Sequence, residues 1–133
     1  MGERSRFVER KNWNSEEKYF FLQKMSVRPV SSEEFYEVVM KTSPHHYIFV
    51  DFCADWCQPC KKIAPKIEHL AREYKHVTFL QVDADESEDL LGRYGVESIP
   101  SFLLFKKGHL RPVTGIRGPH LEKIKEALHK TRQ

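Results

Sequence analysis

Three cysteines, Cys53, Cys57 and Cys60, fall within one short stretch of the chain, and sulfur spaced this closely can do chemistry in three ways. It can ligate an iron–sulfur cluster, ligate zinc, or cycle between dithiol and disulfide. The order C-x3-C-x2-C superficially matches a three-thiolate cluster cradle. An enzyme of that kind needs a large barrel to hold cluster, cofactor and substrate, for which 133 residues are too few. A structural zinc wants a fourth ligand. His69 or His76 could be proposed, but both fall on or after a long helix, with no convincing ligand spacing. The third reading is a dithiol, Trp56-Cys57-Gln58-Pro59-Cys60, placed where a buried strand gives way to a helix. There a cysteine meets the positive end of the helix dipole and free N–H groups, which favour thiolate over thiol. Two intervening residues let the second sulfur reach the first when the turn is helical.

The elements that must position this pair alternate. Val27 to Val30 reads as a short strand, and Ser31 with Glu34 three residues on makes a capping box ahead of Phe35, Val38 and Val39. Tyr47 to Phe52 is a continuous apolar run with one acid, Asp51, in it, the pattern of a central strand buried on both faces. After the cysteines, Ile63, Ala64, Ile67, Leu70, Ala71 and Tyr74 recur at helical spacing, with Pro65 inside the pattern. Val77 to Val82 predicts a strand, Ser87 to Tyr94 a short helix stopped near Gly95, and Ser101 to Phe105 a strand turned at Gly108. Leu110 to Ile116 can pair back as its hairpin partner, and Leu121, Ile124, Lys125 and Leu128 give a last amphipathic helix. The order β-α-β-α-β-α-β-β-α argues an α/β fold, a central mixed β-sheet flanked by helices on both faces.

Composition agrees with one ordinary domain. The chain is 40% hydrophobic and 31% charged, which excludes a wholly disordered or fibrous protein. An odd, small number of cysteines does not suit a disulfide-dense secreted framework. The net charge of +3 is too weak to imply nucleic acid or an anionic membrane as partner. Its distribution is less even: Lys106 to Gln133 carries eight Lys or Arg against Glu122 and Glu126, whereas Asp83 to Glu97 carries six acids against Arg93 alone. Two solvated faces of opposite sign explain this, and so would an electrostatically steered partner.

Over roughly residues 27 to 131 the sequence resembles the thioredoxin family. The resemblance is carried by Val50-Asp51-Phe52, by Ala54 to Cys60 as ADWCQPC, by Lys61 to Pro65, and by Val82-Asp83 with Asp85. Tyr94-Gly95-Val96, Ile99-Pro100 and Phe105 to Gly108 continue it in the same order. It implies a thioredoxin fold and a thiol-disulfide oxidoreductase that reduces protein disulfides. By that resemblance Cys57 is the exposed nucleophile, Cys60 the resolving thiol and partner in a redox disulfide, and Asp51 a buried carboxylate that moves the proton of Cys60. Ile99-Pro100 is the family's cis-proline site, and Trp56, Gln58, Pro59, Ile99 and Gly118 border the substrate platform. The domain itself binds no cofactor or metal; electrons are expected from NADPH through a flavin-dependent thioredoxin reductase.

Three positions depart from common members, and a fourth separates this chain from the oxidising isomerases and favours a reductant. Gln58 replaces a glycine, position 59 is not the histidine of oxidising isomerases, and Gln81 stands where bacterial members place a lysine near the buried carboxylate. Cys53 replaces Trp or a small residue and reads either as a buried bystander or as a regulatory third thiol.

Residues 1–26 stand outside the domain of residues 27–133 and read as an extension, partly disordered, with a short helix from Asn14 and Glu17 through Tyr19, Phe20, Phe21, Leu22 and Met25. Such dense aromatics pack on the domain or dock a partner. The alternative function is therefore a thioredoxin-like binding subunit of a larger assembly, its redox activity secondary. Met1 to Lys11 has no apolar core and its acids do not suit a transit peptide, so a cytoplasmic setting is expected.

Overall fold

The structure is a computed structural model and describes residues 14–17 and 25–133. The helix expected through Tyr19 to Leu22 lies outside them. Within them, Glu17 N–H donates to Asn14 Oδ1 at 2.8 Å and Asn14 N–H to Glu17 Oε1 at 3.2 Å, the reciprocal pair of a helix start.

Strand β1 (Val27–Val30) enters helix α1 (Ser32–Glu37) through the expected capping box: Ser31 accepts from Glu34 N–H and Glu34 accepts from Ser31 N–H. One π-helical turn, Val38–Thr42, extends α1. Strand β2 (Tyr47–Cys53) is the middle of the sheet, parallel to β3 (Val77–Asp83) and antiparallel to β4 (Ser101–Lys106). Helix α2 (Gln58–Glu73) joins β2 to β3 and runs through Pro65. A 3-10 turn, Ala84–Glu86, precedes helix α3 (Glu88–Tyr94), which ends at Gly95 in the left-handed region at φ 63°. Strand β5 (Thr114–Arg117) and helix α4 (Leu121–Lys130) close the chain, and the sheet order is β1-β3-β2-β4-β5.

The hairpin differs from expectation. Only Thr114–Arg117 pairs with β4, not the whole of Leu110 to Ile116. Pro112 has no N–H to give a ladder, so contact with β4 begins only after it, where Val113 N–H donates to the Leu104 carbonyl oxygen at 2.6 Å.

Alternation along β2 divides the core. Ile48, Val50 and Phe52 pack with Phe35 of α1 and Leu90 of α3 on one face. Phe49 points to the other, with Ile63, Ile67 and Leu70 of α2 and Ile124 and Leu128 of α4. Helices therefore cover both faces, and Asp51 and Cys53, two and four residues beyond Phe49, share the α2 side.

One tether holds β1 against α2. The Glu68 carboxylate accepts from Ser26 N–H at 2.9 Å and from Val27 N–H at 3.2 Å, and Arg72 lies 3.3 Å away. Charge-assisted bonds of this kind contribute about 1.5–3 kcal/mol, and partial exposure reduces that. Glu68→Ala is expected to lower unfolding stability by about 1–2 kcal/mol in urea titration, and Glu68→Gln by less, because one acceptor survives.

Candidate active site

The cysteine pair sits where β2 meets α2. Cys57 is the N-cap residue of α2, in extended conformation, and its Sγ accepts from Cys60 N–H at 3.3 Å. Pro59 falls in the first turn, where a missing N–H has no intrahelical carbonyl to lose. The helical turn brings the two Cα atoms to 5.3 Å, and Cys57 and Cys60 are joined as a disulfide. First-turn N–H groups and the positive end of the helix thus face Cys57, an arrangement that favours negative sulfur. The pair is covered: Cys57 is 4% exposed and Cys60 3%, so the expected contrast between an exposed and a deeper sulfur is absent in this oxidised state. Ile99 packs against the cluster.

The Ile99-Pro100 bond is cis, and the Ile99 carbonyl oxygen lies 3.8 Å from Cys57 Sγ. Gly118 joins this corner by donating its N–H to the Pro100 carbonyl at 2.8 Å, and it holds φ 86°, a conformation that suits glycine. Trp56 is 62% exposed beside Cys57, and its indole Nε1–H donates to Asp85 Oδ2 at 2.8 Å. Gln58 and Pro59 are exposed on the other flank of the motif. The structure therefore brings together Cys57, Cys60, Trp56, Gln58, Pro59, Ile99, Pro100 and Gly118. Asp85 completes the set through its bond to Trp56, a link that strand and helix patterns do not reveal.

Asp51 is 4% exposed on the α2 side of the sheet. Burial pushes its carboxyl up from the ordinary 3.8 to about 7, against a smaller downward pull from a hydrogen bond with Cys53. Its Oδ1 has no hydrogen-bond partner. Its neighbour across the sheet is Gln81, so this register position carries no cation to hold the carboxylate ionised.

Cys53 touches both parts of the site. Two residues beyond Asp51 on the same strand face, it bonds to that carboxylate and packs with Cys57 and Cys60. Burial, and then the charges of Asp51 and Asp83, push its thiol far above the ordinary value. A thiol that stays protonated is a poor nucleophile, which argues against a regulatory third thiol and makes Cys53 a neutral donor to Asp51. Cys53→Ala is expected to raise the Asp51 titration above 7, while Cys53→Ser, which keeps a donor, holds it nearby; carbon-detected NMR of the carboxyl group reads both.

Among the described residues, no group of three His, Cys, Asp or Glu is placed to hold a metal ion. His76 instead pairs its Nε2 with Thr131 Oγ1 at 2.9 Å.

Fold and site together define a dithiol–disulfide exchange domain, with a CxxC pair capping the helix that leaves a central strand. The chain belongs to the thioredoxin family, whose sequence model, Thioredoxin, matches residues 26–130. Thioredoxin-2 of Pyricularia oryzae is 36% identical over 107 residues, 80% of this chain and 61% of that protein. A peptide-N(4)-(N-acetyl-beta-glucosaminyl)asparagine amidase of Caenorhabditis briggsae is 37% identical over 107 residues, 80% of this chain but 17% of the amidase. Among solved structures, thioredoxin f from spinach chloroplast (long form) matches with TM-score 0.71 and 32% identity, covering 78% of this chain and 84% of that one.

Proposed function

We propose that the chain is a protein-disulfide reductase. The observation that carries the reading is the Cys57–Cys60 disulfide at the N-terminus of α2, with the buried carboxyl of Asp51 on the same side of the sheet. In the reduced protein, the Cys57 thiolate attacks one sulfur of a substrate disulfide. A mixed disulfide forms and the substrate's other sulfur leaves as thiolate. Asp51 then takes the proton of Cys60, whose sulfur attacks Cys57 Sγ. The mixed disulfide breaks, the substrate departs with both sulfurs reduced, and Cys57–Cys60 is left oxidised.

Ile99 and Pro100 offer the backbone edge for an extended substrate, and Trp56, Gln58, Pro59 and Gly118 border it. Two electrons must then return to the pair. We assign their supply to NADPH through a flavin-dependent thioredoxin reductase, in a cytoplasmic, reducing setting. No helix among the described residues is long and apolar enough to cross a membrane.

Catalysed reduction of a protein disulfide, with dithiothreitol or the reductase as electron source, tests the reading. Turnover above the rate of dithiothreitol alone is expected. A protein with both thiols free and no rate above that background would sink it.

A further inference from the structure

Two grooves border the redox pair, and their charges are opposite in sign. One, of about 420 Å³, is lined by Trp56, Leu91 and Ile99 together with Asp85, Glu88 and Glu97. The other, also about 420 Å³, is lined by Pro59, Ile63 and Leu121 together with Lys62 and Lys66. Sheet order places them. The acidic groove is built from the turn after β3, from α3 and from the segment before β4, the basic one from α2 and the segment after β5, and β3 and β5 lie on opposite sides of β2. Because β4 is antiparallel to β2 and β5 to β4, the ends of β2, β3 and β5 that lead into the grooves share one edge of the sheet. Cys57, which follows β2, therefore stands between acid and base.

These charges are available. Lys62, Lys66, Glu88 and Glu97 are exposed, and among the described residues none of the four is in an ion pair. A uniformly acidic substrate gains beside the lysines and loses beside the carboxylates, and a uniformly basic one does the reverse. A segment with one sign on each side of its cysteine gains at both, while its apolar neighbours meet the apolar lining of each groove.

We propose that this chain selects disulfide partners whose reactive cysteine is flanked by an acidic residue on one side and a basic residue on the other, each with an apolar neighbour beside the cysteine. The proposal rests on the disulfide-exchange reading and adds the substrate's charge pattern. Pairing of the substrate backbone with Ile99 gives the segment one direction, so only one of the two orders, acid-Cys-base or base-Cys-acid, meets both grooves correctly.

The test uses the full chain, reduced beforehand, in single turnovers on short apolar peptides. Each carries one cysteine as a mixed disulfide with the neutral thiol 2-mercaptoethanol. Five flanking patterns are compared: neutral, doubly acidic, doubly basic and the two mixed orders. Exposed charge pairs of this kind are weak singly, so one mixed order should react about three- to tenfold faster than the neutral and same-sign peptides at low salt. The advantage should shrink in 0.5 M salt, where the screening length falls to about 4 Å. In Lys62→Glu/Lys66→Glu the doubly basic peptide should become the fastest. Equal rates for all five, a same-sign peptide fastest with the wild type, or an unchanged ranking in the double variant would overturn the proposal. Reduction of the neutral peptide by the wild type reports on the disulfide-exchange reading separately, so the two can fail independently.

Discussion

Cys57→Ser is expected to abolish reduction of protein disulfides, a loss on the order of a thousandfold or more that leaves only the rate of the external thiol. A hydroxyl at this position is not ionised by a helix N-terminus at neutral pH, and no other sulfur can take over. Cys60 lies within the first turn of α2 rather than at its N-cap, and its own N–H donates to the Cys57 sulfur, so the helix end stabilises negative charge at position 57. Cys53 is held protonated by burial and by the charges of Asp51 and Asp83. Cys60→Ser should fail one step later. Its Cys57 still attacks, so the variant accumulates as a mixed disulfide with substrate, visible as a covalent adduct by mass spectrometry and reversed by dithiothreitol. If Cys57→Ser kept half the wild-type rate while Cys60→Ser formed no adduct, the assignment of attacking and resolving sulfurs would be wrong. The double variant should neither turn over nor trap substrate.

How much of this was legible in the chain depends on the range of the interaction. Ser31 and Glu34 sit three residues apart and announce the start of α1, and the apolar run through β2 announces a strand buried on both faces. The Cys57 and Cys60 spacing works in the same way, because a helical N-terminus turns two residues into a short sulfur-to-sulfur path. Long-range partners leave no such trace. Glu68 reaches Ser26 and Val27 across 42 and 41 positions, and Trp56 reaches Asp85 across 29. Nothing in the local pattern distinguishes these acids from solvated ones. Leu110 and Val113 look like strand residues, whereas Pro112 and the turn at Gly108 decide where pairing begins. Cys53 is the intermediate case. Alternation puts it beside Asp51 and on the face of the redox pair, but its role follows only once burial and the two nearby carboxyl groups are seen together. The acidic run from Asp83 to Glu97 is visible as a count; that three of its acids line a groove on one side of Cys57, while Lys62 and Lys66 of α2 rather than the basic C-terminal run line the groove on the other, follows only from the fold.

Asp51 should make the protein both less stable and more active at neutral pH, and Asp51→Asn should reverse both. Burial raises its folded-state value from 3.8 to about 7. A carboxyl shifted upward contributes stability while it is protonated in both states. That contribution is fully present below about pH 4 and is lost as pH rises through 7, because the unfolded chain releases the proton first. The loss is about 4 kcal/mol by pH 7, at about 1.4 kcal/mol per pH step between the two values. Asp51→Asn removes the ionisation and should flatten this component of stability between pH 4 and 7. It should also raise unfolding stability at neutral pH, by less than the full amount because the buried amide brings donors that need partners. The same substitution removes the proton acceptor assigned to Cys60. Resolution of a preformed mixed disulfide should slow about a hundredfold at pH 7, the lower end of what a positioned acid–base group contributes. The wild-type resolving rate should rise as pH passes through about 7, where the carboxylate becomes available, and that inflection should vanish in the variant. Denaturant titration across pH and stopped-flow resolution measure the two effects separately. A variant that gained stability but kept both rate and inflection would assign Asp51 to the cost of burial alone and remove it from the reaction.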